Sequence, residues 1–162
     1  HNVAKPNKAN CVDCHGQDSA QPYPGADPEK FSFYGIRPGT IPDFDADGNI
    51  TESLQAEIQG LEAALYAQMQ AYGFAIGDPV IYDTNSYPYF FKDPNGNGLV
   101  DPGEAVRANG YSFNAAMLKA AYNYQMSLKE PHGFIHNPWY VAQLLVDSIQ
   151  NLGGNIAPYT WR

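Results

Sequence analysis

A mainly α-helical single domain, with a few helices set among long Pro- and Gly-rich loops, is what this sequence predicts. Three observations predict it. Apolar residues recur every three to four positions over three separate stretches. The 13 prolines and 15 glycines fall between those stretches. Two Asp- and Asn-rich runs, at 43–49 and 93–104, echo each other 50 residues apart and read as loops. At 162 residues, 44% of them hydrophobic, the chain has the size and apolar content of one domain with a real core.

Taken in order, residues 1–42 hold six of the prolines and little periodicity, so they read as mostly loop. The run "DFDADGN" at 43–49 is an acidic loop, and a helix follows with Ile50, Leu54, Ile58, Leu61, Leu65 and Met69 as its core stripe. Gly73 and Gly77 end it, and Pro79 prevents its resumption. "VIYDTNSYPYFF", broken by Pro88, is a short strand or an extended aromatic segment. After the loop "DPNGNGLVDPGE" a second helix is expected from Pro102 onward. A third runs from Phe113, with Met117, Ala120, Ala121, Tyr124 and Leu128 on its buried face. Asn137 caps a last helix whose first turn holds Pro138, where the missing amide hydrogen costs nothing. Tyr140, Leu144, Leu145, Ser148 and Ile149 form its expected buried side, and Gly153 with Gly154 stops it. Residues 43–154 are thus the helical part, and 155–162 are expected as a tail.

Charge excludes several classes of partner. With 17 acidic residues against 9 Lys and Arg, the net charge is −8, and no basic run exists to hold nucleic acid or an anionic membrane surface. The longest apolar runs are short, so no transmembrane segment is expected. The polar stretch after His1 is not expected to be a secretory signal. A sequence that begins at His1 is expected to be an exported, processed protein or a fragment of a longer one.

Both cysteines lie in "NCVDCHG", residues 10–16, giving Cys11, Cys14 and His15 the C-x-x-C-H pattern of c-type haem attachment. Two thiols at this spacing reach the two vinyl groups on one edge of a porphyrin, and the adjacent imidazole falls beneath the iron. A redox dithiol would need a preceding buried strand, which "PNKAN" does not supply, and zinc would need further soft ligands. A disulfide closing so short a loop would stabilise little. Haem c is therefore the expected cofactor, and the 20 Tyr and Phe residues suit packing around it.

For the other axial position the chain offers His136, His132 and His1, besides three methionines or an open site. His136 is favoured because a capped, proline-fixed turn follows it and should hold its ring in place. Two nitrogen ligands make an electron relay. An open position would instead make a haem enzyme or small-ligand sensor, but with only Arg37, Arg107 and Arg162 in the chain no distal Arg and His pair of a peroxidase type is seen. No catalytic residue is assigned.

The run from Asp93 to Glu104 matches the twelve-residue calcium loop. Asp93, Asn95 and Asn97 offer side-chain oxygens, Leu99 its carbonyl, Asp101 a carboxylate and Glu104 a bidentate one; Gly98 permits the turn. With no clear helix before Asp93, a structural EF-hand-like clip is expected rather than a switch. Asp43, Asp45, Asp47 and Asn49 repeat the first half of the pattern around Gly48. Leu54 stands at the closing position, so Glu52 or Glu57 would have to close a second calcium shell. A solvated acidic start to the helix is the competing reading.

The phrases "PDFDADGNITESLQAEIQGL", "YPYFFKDPNGNG", "LKAAYNYQ" and "HGFIHNPWYVAQLLVDSIQNLG" together resemble the C-terminal region of exported multihaem c-type cytochromes of anaerobic, metal-reducing or sulfur-metabolising bacteria. The resemblance covers most of residues 10–154. It implies His15 as proximal and His136 of the "HNP" phrase as distal ligand, and electron transfer in the periplasm or at the cell surface. Unlike those relatives the chain has one C-x-x-C-H, so further haems are expected upstream in a longer parent, or this is a one-haem version; His1 with Asn2 would then serve a haem of another segment or subunit. The partners implied are other cytochromes or redox proteins, further haem domains of the parent chain, or other copies. A calcium-stabilised structural module of a larger cytochrome assembly is the remaining alternative.

Overall fold

The computed structural model describes residues 35, 37, 41–130 and 132–162. The expected haem residues His1, Cys11, Cys14 and His15, and most of the loop expected over 1–42, lie outside the described residues.

The first helix, α1, spans Leu54–Ala75. Ser53 caps it, its hydroxyl accepting from the Ala56 amide at 3.2 Å. Leu54, Ile58, Leu61, Leu65 and Met69 are buried as the spacing predicts, but Ile50 is 67% exposed. The cap at Ser53 sets the helix start beyond Ile50, which therefore never joins the stripe. At the other end Gly77 takes φ 74°, and the amides of Gly77 and Asp78 bond to the carbonyls of Phe74 and Gly73 at 3.1 and 2.9 Å. This closure satisfies the last turn and reverses the chain. Gly73 is required for it, since a Cβ there would stand 2.8 Å from the Asp78 carbonyl oxygen.

The reversed chain forms a hairpin of β1, Val80–Tyr82, and β2, Phe90–Lys92, antiparallel with Ile81 opposite Phe91. The sequence reading left strand and extended segment open; it is two short strands around the Pro88 loop. No helix begins at Pro102. Residues 101–110 hold only a 3-10 turn, Arg107–Asn109. Gly103 at φ 91° interrupts any helix, and the Asn109 side chain donates to the carbonyls of Lys92 and Glu104, both at 2.9 Å, folding the loop back on β2.

Helix α2, Ala115–Lys129, starts at Asn114, whose side chain accepts from the Met117 amide at 2.9 Å. Its buried residues are Met117, Ala120, Ala121, Tyr124 and Ser127, so Leu128 is only partly covered. A short turn, α3, Gly133–His136, leads into α4, Pro138–Asn151, capped by the Asn137 side chain on the Tyr140 amide at 3.2 Å. The buried side of α4 is Val141, Ala142, Leu145, Val146, Ser148 and Ile149, rotated from the expected one, and Tyr140 is exposed. The run "VAQLLV" is apolar on two adjoining faces, so periodicity alone does not choose between them.

Helices α1, α2 and α4 pack on one another around Leu61, Leu65, Met69, Met117, Leu145 and Val146, all fully buried, and the hairpin covers one side of α1. Residues 155–162, expected as a tail, return to this core. Trp161 sets its ring 4.9 Å from that of Phe44 and donates its indole N–H to the Phe44 carbonyl at 2.9 Å. Burial of Phe44 contributes about 2–3 kcal/mol and fastens the loop before α1 to the end of the chain. Among the described residues no helix is long and apolar enough to cross a membrane.

Candidate metal centres

The loop from Asp93 to Glu104 lies between β2 and the 3-10 turn rather than between two helices. Asp93 is buried, and its two carboxylate oxygens accept from the amides of Gly96 and Gly98 at 2.9 and 2.7 Å. Asn95 Oδ1 accepts from the Asn97 amide at 2.9 Å, and Asn97 Oδ1 from that of Leu99 at 2.7 Å. Their Nδ2 groups donate inward to Asp101 Oδ2 at 2.7 and 2.8 Å. Glu104 joins them, accepting from Asn95 Nδ2 at 3.3 Å and from the Asp101 amide at 3.1 Å. The loop is also tied to α1, where Gln70 Nε2 donates to the Gly98 carbonyl at 2.8 Å and meets the Tyr66 hydroxyl at 3.2 Å. Asn95, Asn97, Asp101 and Glu104 are thus linked by hydrogen bonds to one another, the Leu99 amide bonds to Asn97, and Asp93 is tied to the same turn through the Gly96 and Gly98 amides.

The run from Asp43 repeats this scaffold. Asp43 Oδ2 accepts from the Gly48 amide at 2.8 Å, Asp45 Oδ1 from Asp47 at 3.2 Å and Asp47 Oδ1 from Asn49 at 2.6 Å. The left-handed positions match as well, with Ala46 at φ 62° and Gly48 at φ 90° against Gly96 at φ 68° and Gly98 at φ 75°. The closing residue differs. Glu57, in the first turn of α1, is fully buried and accepts from the amides of Phe44 and Asp45 at 2.7 and 3.3 Å. Its other oxygen pairs with Arg37. Arg37 also donates to the carbonyls of Glu52, Ile41 and Pro42, at 3.0, 3.3 and 3.3 Å, so nearly all its donors are used.

Carboxylate oxygens crowd here. Those of Asp43, Asp45 and Glu57 lie within 4.8 Å of one another, and so do those of Asp45, Asp47 and Glu52. Burial pushes the Asp45 carboxyl up to about 7 against a lowering bond from the Asp47 amide, with Asp47, Glu57 and Glu52 adding repulsion. Part of that burial comes from Gly60 on α1: the Asp45 carboxylate occupies the space where any side chain at that position would stand. Glu52 is also raised, first by burial and then by Glu57 and Asp47, with Arg37 opposing. Asp43 Oδ1 and Glu52 Oε1 are buried without a hydrogen-bond partner. Orphaned carboxylate oxygens among like charges fit a hard dication. Because Glu57 already holds Arg37 and two backbone amides, Glu52 is the acid with an uncommitted oxygen. The sequence reading missed Arg37; a lone basic residue in a Pro-rich stretch carries no periodic signal that points to Glu57.

His136 ends α3, and its ring is 71% exposed with Nδ1 3.8 Å from Glu130 Oε1. Proline and cap fix the backbone after it, as expected, but no packing pins the imidazole. It lines a groove with Met126, Asn137, Tyr140 and Val141. His132 is exposed at the start of the same turn. An accessible imidazole flanked by apolar side chains fits a haem-iron ligand; Cys11, Cys14, His15 and His1 lie outside the described residues.

No family model and no solved structure matches the chain. A stretch of 107 residues, 60% of this chain, is 36% identical to part of the C-type polyheme cytochrome OmcB of Geobacter sulfurreducens, of which it covers 14%. It is 34% identical over 107 residues to the C-type polyheme cytochrome OmcC of the same organism, covering 13% of that protein. The chain therefore spans about one seventh of the length of the curated relatives it matches. What the comparison carries is a partial homology, and it relates this chain to polyhaem c-type cytochromes.

Proposed function

We propose that this chain is an electron-transfer domain: Cys11 and Cys14 hold haem c through thioether bonds, and His15 and His136 ligate its iron. One observation carries the reading. The single C-x-x-C-H of the chain occurs in a sequence that is similar, over 107 residues, to polyhaem c-type cytochromes. The bound haem supplies one-electron chemistry; the chain's residues attach it, orient it and limit water around it. No residue is assigned a catalytic role. His132 and His1 stand behind His136 as ligands. The work is done outside the cytoplasm, with other cytochromes or redox proteins, further haem domains of a longer parent, or other copies as partners. One domain is proposed over 1–162.

Structural calcium belongs to the same reading. Asp93, Asn95, Asn97, Asp101 and Glu104 with the Leu99 carbonyl would hold one ion. Asp43, Asp45, Asp47 and the Asn49 carbonyl would hold another, closed by Glu52, with Glu57 bracing the loop through Arg37. The crowded, partly orphaned carboxylates support the second ion, and the shared hydrogen-bond scaffold supports the pair.

The whole-protein mass and the absorption spectra of both redox states test the attachment. The expected mass exceeds the polypeptide by one covalent haem. A mass equal to the polypeptide overturns the reading. Magnetic circular dichroism of the oxidised protein tests the ligands: His136→Met should move the near-infrared charge-transfer band, whereas His132→Met should leave it in place. Movement with His132→Met alone reassigns the iron.

A further inference from the structure

Helix α2 carries two apolar stripes, and only one faces the core. The other, Leu118, Tyr122 and Met126, repeats every four residues and so lies on one face of the helix. Leu118 is 54% and Tyr122 69% exposed. Met126 and Glu130 line two adjoining grooves, one shared with Tyr122, Gln125 and Lys129 and the other with His136 and Tyr140. Tyr140, at the start of α4, is 57% exposed. The face is therefore continuous from Tyr122 through Met126 to Tyr140 and His136. An apolar surface of this extent marks something that covers it.

Resting on the attachment and ligation just proposed, the geometry points to an occupant: we propose that the porphyrin carried at Cys11 and Cys14 seats on this face, against Tyr122, Met126 and Tyr140. Chain continuity favours this over a second copy. The segment that bears the cysteines joins the described fold at Arg37 and Ile41, beside Phe44. The Phe44 ring lies 5.1 Å from that of Trp139, which follows His136 by only three residues. The chain that leads back to Cys14 therefore leaves the described fold on the side of Trp139 and His136. The 22 residues from His15 to Ile36 span up to about 70 Å when extended, far more than the face requires. Its chemistry also suits a porphyrin. Aromatic and thioether side chains offer flat, adaptable contact to a macrocycle. Lys129, its ammonium 4.4 Å from the Tyr89 ring centroid, lines the groove with Tyr122 and offers a cation for propionate carboxylates, while the acid, Glu130, stands where the two grooves meet, beside His136.

Proton NMR of the full-length, reduced holoprotein tests the seat independently of ligation. A Met126 methyl resonance displaced upfield by the ring current, lost in Met126→Leu, and cross-relaxation from haem methyls to the Tyr140 ring are expected. Tyr122→Ser should leave the ligation spectrum intact while shifting the haem methyl resonances. If His136 ligates and none of these contacts is seen, the seat is wrong and the ligation stands. If the contacts are seen but His136→Met leaves the near-infrared band unmoved, the seat stands and the ligand assignment falls. A concentration-dependent dimer broken by Tyr122→Ser, with no haem contact to Met126, assigns the face to a second copy and overturns the proposal.

Discussion

The two Asp- and Asn-rich loops share a backbone and differ in what closes them. Both place a left-handed residue fourth and a glycine sixth, and both turn the first carboxylate onto the amide of that glycine, at 2.8 Å in one and 2.7 Å in the other. In the loop from Asp93, two neutral amides stand between the acids and donate to Asp101. In the loop from Asp43 those positions are Asp45 and Asp47, and the acid of the first helical turn, Glu57, is spent on Arg37 and two backbone amides. One loop compensates its charges internally. The other leans on an ion pair made by α1 and keeps, among like charges, carboxylate oxygens that no protein group satisfies. The same turn geometry can thus be a self-sufficient clip or an electrostatically unfinished one.

The largest expected effect removes the brace of the loop from Asp43. Glu57→Ala leaves the largely covered Arg37 guanidinium without its carboxylate and strips two amides of their acceptor, a loss of about 3 kcal/mol. Glu104→Ala, at the closure of the loop from Asp93, removes bonds from the Asp101 amide and the Asn95 side chain and should cost only about 1 kcal/mol without calcium. Denaturant unfolding in chelator compares the two. Equal losses would mean that the ion pair does not distinguish the loops.

That asymmetry was only half legible in the sequence. Spacing singled out both acidic loops, which the structure shows to share one turn geometry, and the apolar stripes from Leu54 to Met69 and Met117 to Tyr124 found α1 and the inner face of α2. It ranked the loop from Asp93 higher because Glu104 completes the motif. Yet among the described residues the grouped carboxylate oxygens are those around Asp45. The deciding residues, Arg37 and Gly60, act through a tertiary approach with no periodicity of its own. The same holds for Trp161, which returns to Phe44 from what read as a tail. Ile50 and Tyr140 were placed inside because a period fixes the repeat of a face but not where a cap starts the helix, nor which of two adjoining apolar faces is covered.

The next effect is in pH. Burial holds the folded-state value of Asp45 at about 7, above the ordinary aspartate value of about 4. Below the ordinary value both folded and unfolded chains bind the proton, and Asp45 costs nothing. Between the two values the folded chain keeps a proton that the unfolded chain has released, so stability falls as pH rises, and the cost is complete above about 7. Asp45 is partly open to water, so screening reduces the effect below its full linkage value. In chelator the melting temperature should fall between about pH 4.5 and about pH 7.5, and Asp45→Asn should remove most of that fall. Saturating calcium should flatten the wild-type curve by binding the ionised form, with about 2.7 kcal/mol gained at a hundredfold excess over the dissociation constant. A chelated curve that is already flat would mean that Asp45 carries no such burden.

The smallest effect exchanges the fourth residue of each loop. Ala46 holds φ 62°, a conformation that crowds its Cβ against the following carbonyl, whereas Gly96 holds φ 68° without that penalty. Ala46→Gly relieves about 1–2 kcal/mol of crowding but frees the unfolded chain, so a net gain of about 0.5–1 kcal/mol is expected. Gly96→Ala should lose a similar amount, because the added Cβ would meet only the Phe74 ring at an ordinary 3.7 Å and the backbone sets the cost. Thermal unfolding of the two variants and of the double exchange measures this. Residue separation and the absence of a shared partner predict additive effects that nearly cancel in the double variant. A clear departure from additivity would show that the loops sense one another through α1, where Gly60 meets one and Gln70 the other.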